Sequence, residues 1–175
     1  MSAFTSMKPR FCRTCESACS FAESNFVRTR RRNAMVPLLI ALVFVLIAQE
    51  ARACIINVTG VNFGAYHVFS NVALDSAGNI DINCPNGVGY NITLSAGNGT
   101  YEQRILSSGA YSLNYNLYTA ADRVFVWGDA SSGSASVSGS GIGAPVNHVV
   151  YARTPPNQNV PAGGYSDTIS IMINF

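Results

Sequence analysis

Apolar and polar residues alternate with a period of two along much of the chain after residue 54, which indicates β-strands with one buried face. The longest such stretch is the C-terminal one, residues 165–175. Its apolar positions fall on one face, at Ile169, Ile171, Ile173 and Phe175, and Met172 interrupts an otherwise polar opposite face. A terminal apolar strand needs a neighbouring strand from its own chain or from another. Because the chain ends on this strand, we expect the neighbour to come from another chain.

Shorter stretches of the same kind precede it, separated by residues that favour turns. A first strand begins with Ile55, Ile56 and Val58 and continues beyond Gly60. Further strands are predicted at residues 80–84, 90–94, 104–106, 113–117 and 149–151, and a brief apolar run lies at 124–127. We expect turns at residues 75–79 and 85–87, and a long Ser/Gly-rich hairpin loop at 131–143. Since no segment has helical periodicity, the pattern predicts a single all-β sandwich domain.

The first 53 residues have the features of a secretory leader. Arginines at positions 28, 30, 31 and 32 precede an apolar run over residues 36–48, and the small-residue site Ala51-Arg52-Ala53 follows. The run has thirteen residues, whereas a membrane span needs roughly 17–25, which favours a signal peptide over a signal anchor. We therefore predict that residues 1–53 are removed and that residues 54–175 form the exported domain.

The predicted exported domain contains two cysteines, Cys54 and Cys84. Two cysteines in an exported domain predict one disulfide. The alternative is a lipoprotein acylated at Cys54, but Arg52 is unusual just before a lipidation site and Cys84 would then lack a partner. Three more cysteines, at positions 12, 15 and 19, fall in the predicted leader. No fourth ligand with suitable spacing follows them, so they do not predict a metal or cluster site.

Charge is distributed unevenly between these two parts of the chain. Residues 1–53 hold eight of the eleven basic residues and three of the nine acidic ones. Residues 54–175 hold three arginines, no lysine and six acids. A mildly acidic domain of this kind lacks the basic surface that nucleic-acid binding requires. The 48% content of apolar residues excludes an intrinsically disordered chain.

Catalytic and metal-binding patterns are missing from the sequence of the exported domain. His67 and His148 have no second ligand or nucleophile at a fitting spacing, and no nucleophile elbow occurs. Its acidic residues are too scattered for a calcium loop. We expect Asp167 to form turn hydrogen bonds at the entry to the last strand, and Trp127 to lie in the core. We therefore expect no enzyme activity, no metal, no cofactor and no small-molecule substrate.

Several motifs resemble those of the spore coat protein U domain family, which includes subunits of archaic (Csu-type) chaperone–usher pili. The resemblance spans essentially all of residues 54–175. Its most specific parts are Y-N-L-Y at 115–118, W-G-D at 127–129 and the closing P-A-G-G-Y-S-D-T-I-S-I-M-I-N-F. It also includes Cys54, F-G-A-Y at 63–66, Arg104, Y-A-R at 151–153 and Gln158.

The resemblance implies an incomplete immunoglobulin-like β-sandwich that lacks its final strand and is completed by donor-strand complementation. A periplasmic chaperone would supply the strand first, and another pilus subunit would replace it at an outer-membrane usher. Strand addition of this kind combines main-chain hydrogen bonds with pockets for alternate side chains. We expect the acceptor groove to be formed by Ile55, Ile56, Val58, Ile169, Ile171, Ile173 and Phe175.

A subunit that also donates a strand needs about ten alternating residues before its first cysteine. Cleavage after Ala53 leaves none, and cleavage after Ala48 leaves only residues 49–53, which include no large apolar side chain. We therefore expect an exported fibre or coat subunit that accepts a strand at a tip or terminal position. The alternative is a self-contained secreted β-sandwich that binds a carbohydrate or a surface, with its groove filled by its own chain.

Overall fold

A computed structural model describes the backbone of residues 2–10 and all atoms of residues 53–175. These residues form ten β-strands and no helix, so the described part of the chain contains no segment that could cross a membrane as a helix. The strands are β1 Ser2–Arg10, β2 Ile55–Thr59, β3 Asn62–Ala65, β4 Leu74–Asn83, β5 Gly89–Leu94, β6 Arg104–Ser108, β7 Tyr111–Tyr118, β8 Val137–Ser140, β9 Pro145–Thr154 and β10 Gly164–Asn174. The all-β prediction is confirmed.

The strands are arranged in two sheets that share β7. One sheet has the order β2-β4-β9-β7, with every pair antiparallel. In the other, β7 pairs with β6, β6 touches β10 at a single bridge, and β10 pairs with β5, which pairs with β8. β1 and β3 follow on the opposite edge of β10. The buried side chains of both sheets form one hydrophobic core.

β4 shows how a misleading local pattern is overridden by packing. Residues 75–79, predicted as a turn, are part of this ten-residue strand. Gly78 is required by close packing, since a Cβ there would lie 2.6 Å from the carbonyl oxygen of Thr59. Asp75 forms a two-point ion pair with Arg153 of β9, and Ser76 donates a 2.6 Å hydrogen bond to the carbonyl of Asn62. The polar residues therefore connect neighbouring strands, and the turn prediction is wrong.

The brief apolar run at residues 124–127 does not form a strand. Val124 and Phe125 are 64% and 61% exposed, and only Val126 and Trp127 form isolated bridges. Trp127 itself is buried, and its indole N–H donates to the carbonyl of Ile92 at 3.1 Å. The core position of Trp127 is therefore confirmed, and the loop before it presents its apolar residues to solvent.

The Ser/Gly-rich segment contains a strand that its composition concealed. β8 pairs with β5, and Gly139 lies against the ring of Tyr90, where a Cβ would approach ring atoms to 2.6 Å. Glycine at this position lets the edge strand lie flat on an aromatic ring. The predicted uninterrupted loop is therefore wrong, although the hairpin connection remains within one domain.

The Cys54–Cys84 disulfide is present, which confirms the predicted pairing. It joins the start of β2 to the end of β4, where Ile55 already pairs with Asn83. The bond therefore closes the end of one sheet at a register that the strands themselves define.

Candidate functional site: a strand-binding groove

The last strand, β10, is bordered on one side by strands of the main fold. Ser166 pairs with Ser107 of β6, and residues 171–174 pair with residues 94–91 of β5. Between these two pairings, Ser170 exchanges hydrogen bonds with Ser95, whose amide donates to the Ser170 carbonyl at 2.9 Å. This side of β10 is complete without any further strand.

Among the described strands, β1 alone pairs with the other side of β10. β1 runs parallel to β10, from Ser2 opposite Gly164 to Arg10 opposite Met172. It also pairs antiparallel with β3, from Ser2 opposite Ala65 to Phe4 opposite Asn62. Adjacent strands lie about 4.8 Å apart, so removing β1 would leave β10 and β3 roughly 10 Å apart. We call this one-strand gap between β10 and β3 the groove.

The strand in the groove comes from the segment that the sequence predicts to be a removed leader. Residues 2–10 precede the arginines and the apolar run of that segment, both of which lie outside the described residues. Cys12, Cys15 and Cys19 also lie outside them. If residues 1–53 are cleaved off, the groove is vacated along its whole length. If they are retained, the chain completes its own sheet.

On β10, the wall of the groove, buried and exposed residues alternate as the sequence pattern predicted. Ile169 and Ile171 are buried, and Ile173 is half-buried against the core. Phe175 lies beyond the end of β10 and is 61% exposed. Pairing with β1 ends at Met172 and pairing with β5 ends at Asn174, so neither neighbouring strand reaches Phe175.

The other three residues predicted to form the groove, Ile55, Ile56 and Val58, lie on β2, which pairs with β4 in the other sheet and does not border the groove. Ile56 and Val58 pack against the core, whereas Ile55 is 60% exposed because adjacent strand residues point to opposite faces. The strand across the groove from β10 is β3, with Phe63 as its buried residue. The chain passes from one sheet to the other near Gly60, between β2 and β3. The sequence pattern predicted a single strand that continues across this position.

Tyr115 of β7 forms the floor of the groove between the two walls. Its ring meets that of Phe63 edge to face, with 5.9 Å between ring centroids. Its hydroxyl donates a 2.7 Å hydrogen bond to Oδ2 of Asp167 on β10. One side chain therefore contacts residues of both walls.

Asp167 is a buried wall residue and not the turn residue that the sequence predicted. It is 3% exposed and occupies an inward position of β10, between Tyr165 and Ile169. Besides Tyr115, its Oδ1 accepts hydrogen bonds from the amides of Asn98 and Thr168, at 3.1 and 2.7 Å. An acid at an inward position of an alternating strand was the signal that the sequence offered for this role.

Arg104 of β6 lies beside Tyr115, since the two residues are directly opposite in the β6–β7 pairing and share a face of the sheet. It is fully buried and donates to the carbonyls of Ser95 and Trp127 and to Oδ1 of Asn116, at distances of 2.7–3.1 Å. Burial lowers the pKa of Arg104, and the nearby Tyr115, Tyr101 and Asp167 oppose that shift. Among the described residues no carboxylate is hydrogen-bonded to this guanidinium, so neutral oxygens satisfy a buried cation.

Gln158 is another motif residue with a structural role. Its Oε1 accepts from the amide of Asn114 at 2.7 Å, and its Nε2 donates to the carbonyl of the same residue at 3.0 Å. The side-chain amide thus pairs with β7 as a strand backbone would. The loop that follows β9 is thereby fastened to β7, the strand that carries Tyr115.

The described residues contain no cluster of three or more side chains suited to hold a metal ion. His148 accepts or donates a 2.9 Å hydrogen bond with the hydroxyl of Tyr90, and the two rings meet edge to face. Burial lowers the pKa of His148, and Asp81 partly offsets this shift. The histidine is therefore a half-buried residue of β9 that packs against Tyr90.

Comparison with known proteins shows the family of the chain and a similar fold. The chain is 40% identical over 63 residues to Protein U of Myxococcus xanthus, a match covering 36% of this chain and 34% of that protein. It is similar in fold, with a TM-score of 0.50 and 26% identity, to a chain in the crystal structure of the CsuC–CsuE chaperone–tip adhesion subunit pre-assembly complex from archaic chaperone-usher Csu pili of Acinetobacter baumannii. That match covers 70% of this chain and 39% of the other, so the chain spans only a minor part of each relative. The model of the Spore Coat Protein U domain matches residues 40–172, most of the chain, and the protein therefore belongs to the Spore Coat Protein U domain family.

Proposed function

We propose that this protein is an exported structural subunit of a chaperone–usher-type surface fibre or coat, and that its groove accepts a donor strand from another protein. The observation that carries the proposal is the groove itself. β10 is paired over nine consecutive residues by a strand drawn from the predicted leader. Removal of that leader on export exposes both main-chain edges and the inward side chains between them.

The free energy that a donor strand contributes by burying its side chains is comparable to the stability of a whole domain. A donor that buries four or five large apolar side chains gains on the order of 6–15 kcal/mol at ~1.5–3 kcal/mol each. Small domains have net stabilities of about 5–15 kcal/mol. The exported domain therefore depends on an occupant of the groove for its fold.

The proposed partners are a periplasmic chaperone, an outer-membrane usher and other subunits. The similar Csu structure is a complex of a chaperone with a tip adhesion subunit, which supports a chaperone as the first partner. We assign the subunit to a tip or terminal position because residues 49–53 offer no apolar donor segment ahead of Cys54. The route is through the periplasm to the cell surface.

A self-contained module is the second candidate, and one observation favours it specifically. The strand in the groove belongs to this same chain, at residues 2–10. If the N-terminal segment survives in the finished protein, the sheet needs no donor from elsewhere. The domain would then serve as a secreted module that binds a carbohydrate or a surface.

Chaperone capture of a groove variant tests the proposal. Ile171→Asp places a charge at a position that is 1% exposed and in register with the occupying strand. We expect it to abolish co-purification of the chaperone with the exported subunit. Met172→Asp is the matched control, since the adjacent side chain is 46% exposed on the outer face of the same strand. Capture of the Ile171→Asp subunit at the same level as the Met172→Asp subunit would contradict the groove assignment.

A further inference from the structure

We propose that a cleft over β7, on the face turned away from the groove, binds a neutral hexopyranose unit of a polysaccharide. The cleft has a volume of about 280 Å³, and its lining includes Glu102, Gln103, Asn114, Tyr118 and Pro155. Pockets for drug-sized ligands have volumes of roughly 300–1,000 Å³, so this smaller cleft suits a single sugar ring. The inference holds for either candidate function, because it does not depend on which strand fills the groove.

The floor of the cleft is the polar face of β7. Asn114, Asn116 and Tyr118 alternate along this strand with Tyr115 and Leu117, which are buried in the core. Asn114 and Tyr118 are four residues apart, which corresponds to roughly 13 Å along a strand. A sugar ring therefore has room to lie over the buried Asn116, between the amide at one end and the phenol at the other.

Both walls of the cleft are fastened by hydrogen bonds. On one side, Nδ2 of Asn116 donates to the carbonyl of Glu102 at 3.0 Å. On the other, Nε2 of Gln158 donates to the carbonyls of Pro155 and Asn114, both at 3.0 Å. A cleft whose shape is fixed before binding loses little conformational entropy when a ligand enters.

Four polar side chains of the lining have no hydrogen-bond partner among the described residues. They are the carboxylate of Glu102, the amides of Gln103 and Asn114, and the hydroxyl of Tyr118. Gln158 pairs with the main chain of Asn114 and leaves its side chain available. An amide both donates and accepts, as a sugar hydroxyl does, and a carboxylate accepts from two neighbouring hydroxyls. These groups therefore complement a ring that carries several adjacent hydroxyls.

The chemistry of the lining favours a neutral sugar over an apolar or anionic ligand. The described lining contains no leucine, isoleucine or valine, so an aliphatic ligand gains little by entering. It contains no lysine or arginine either, and the carboxylate of Glu102 repels an anion. The guanidinium of Arg153 lies on the neighbouring strand, but Asp75 holds it at 2.7 and 2.8 Å. The ring of Tyr118 supplies an apolar surface for the C–H groups of a pyranose.

Saturation-transfer NMR tests the inference on the protein purified from the periplasm, with its groove filled by a chaperone strand or by its own. The ligands are the methyl glycosides of glucose, galactose and mannose, and methyl glucuronide is the anionic analogue of the glucoside. We expect at least one neutral glycoside to bind with a dissociation constant on the order of 1 mM, as ordinary ligand efficiency gives for a molecule of this size. Methyl glucuronide should bind more weakly than methyl glucoside.

Three substitutions assign the binding to the cleft. Tyr118→Ala should weaken it about three- to tenfold, and Tyr118→Phe, which keeps the ring, should weaken it less. Glu102→Gln should remove the preference for the glucoside over the glucuronide, an effect that a merely structural role would not produce. Tyr111→Ala is the matched control, since this tyrosine lies on the same strand, is 55% exposed and is not part of the cleft lining.

The thermal unfolding midpoint of each variant establishes that it is folded. Affinities of Tyr118→Ala and Glu102→Gln equal to that of the control would overturn the assignment to the cleft. Absence of saturation transfer from all three neutral glycosides, or tighter binding of the glucuronide to the unmodified protein, would overturn the proposed ligand class. None of these outcomes depends on chaperone capture, so the proposed function is tested separately.

Discussion

Replacement of Arg104, the buried arginine paired with Tyr115, gives a sharp test of how the fold is held together. Arg104→Met keeps much of the aliphatic volume but removes the guanidinium that donates to Ser95, Asn116 and Trp127. Each acceptor left buried without a donor costs about 1–3 kcal/mol. Loss of the buried cation itself returns part of that cost, because its desolvation penalty disappears.

The carbonyls of Ser95 and Trp127 lose their donor, whereas Oδ1 of Asn116 still accepts from the amide of Leu117. We therefore expect the free energy of unfolding to fall by about 2–5 kcal/mol, at about 1–3 kcal/mol for each carbonyl left buried without a donor. The assay is urea unfolding of the domain with its donor strand in place. The dependence of the unfolding free energy on urea concentration should be equal in the two variants, which establishes that both expose the same surface on unfolding. Trp127 fluorescence is a suitable signal, since this buried indole adjoins the network.

Arg153→Met is the matched control. Arg153 also makes close ion-pair contacts, at 2.7 and 2.8 Å to Asp75, but its side chain is 40% exposed. An exposed pair contributes about 0–1 kcal/mol, so the control should change stability little. A loss below about 1 kcal/mol for Arg104→Met, equal to that of the control, would refute the reasoning that the buried hydrogen bonds organise the groove floor.

Two further predictions concern the rest of the sandwich. Replacing Cys54 and Cys84 together by serine should lower the free energy of unfolding by roughly 3–4 kcal/mol in the chain-entropy model. The loss is measured as a lower urea midpoint. Dithiothreitol should cause the same loss in the unmodified domain and none in the double serine variant. Because burial lowers the pKa of His148 below 6.5 in the fold, the unfolded chain takes up its proton first as the pH falls, so stability is full above pH 6.5 and declines below it. His148→Gln should flatten that part of the pH profile, and an unchanged profile would show that another group titrates.

Much of the sandwich was predictable because burial imposes a period of two on each strand. Ile80, Ile82, Ile92, Leu94, Leu113 and Leu117 are buried as the alternation predicted. The disulfide was predictable because only two cysteines were available to the exported domain. The predictions failed where packing between strands outweighs local preference, as at Gly78 and Gly139, whose missing side chains make room for a neighbouring strand or ring.

Only one wall of the groove, β10, could be predicted from the sequence. The inward face of β10 follows directly from its alternation, but the identity of the facing strand depends on a change of sheet after Thr59 that no local pattern records. The polar parts of the site were missed for a related reason. Arg104, Tyr115 and Asp167 are far apart in sequence, and their roles arise from long-range hydrogen bonds.

The most direct measurement is the folding of residues 54–175 alone, compared with the same domain supplied with a donor strand, together with the N-terminal sequence of the exported protein. The account predicts a mature chain that begins near Cys54 and aggregates or unfolds without cooperativity until a chaperone or donor peptide is added. A soluble monomer of residues 54–175 that unfolds cooperatively without any donor would contradict it, as would an exported protein that retains residues 2–10 in the groove.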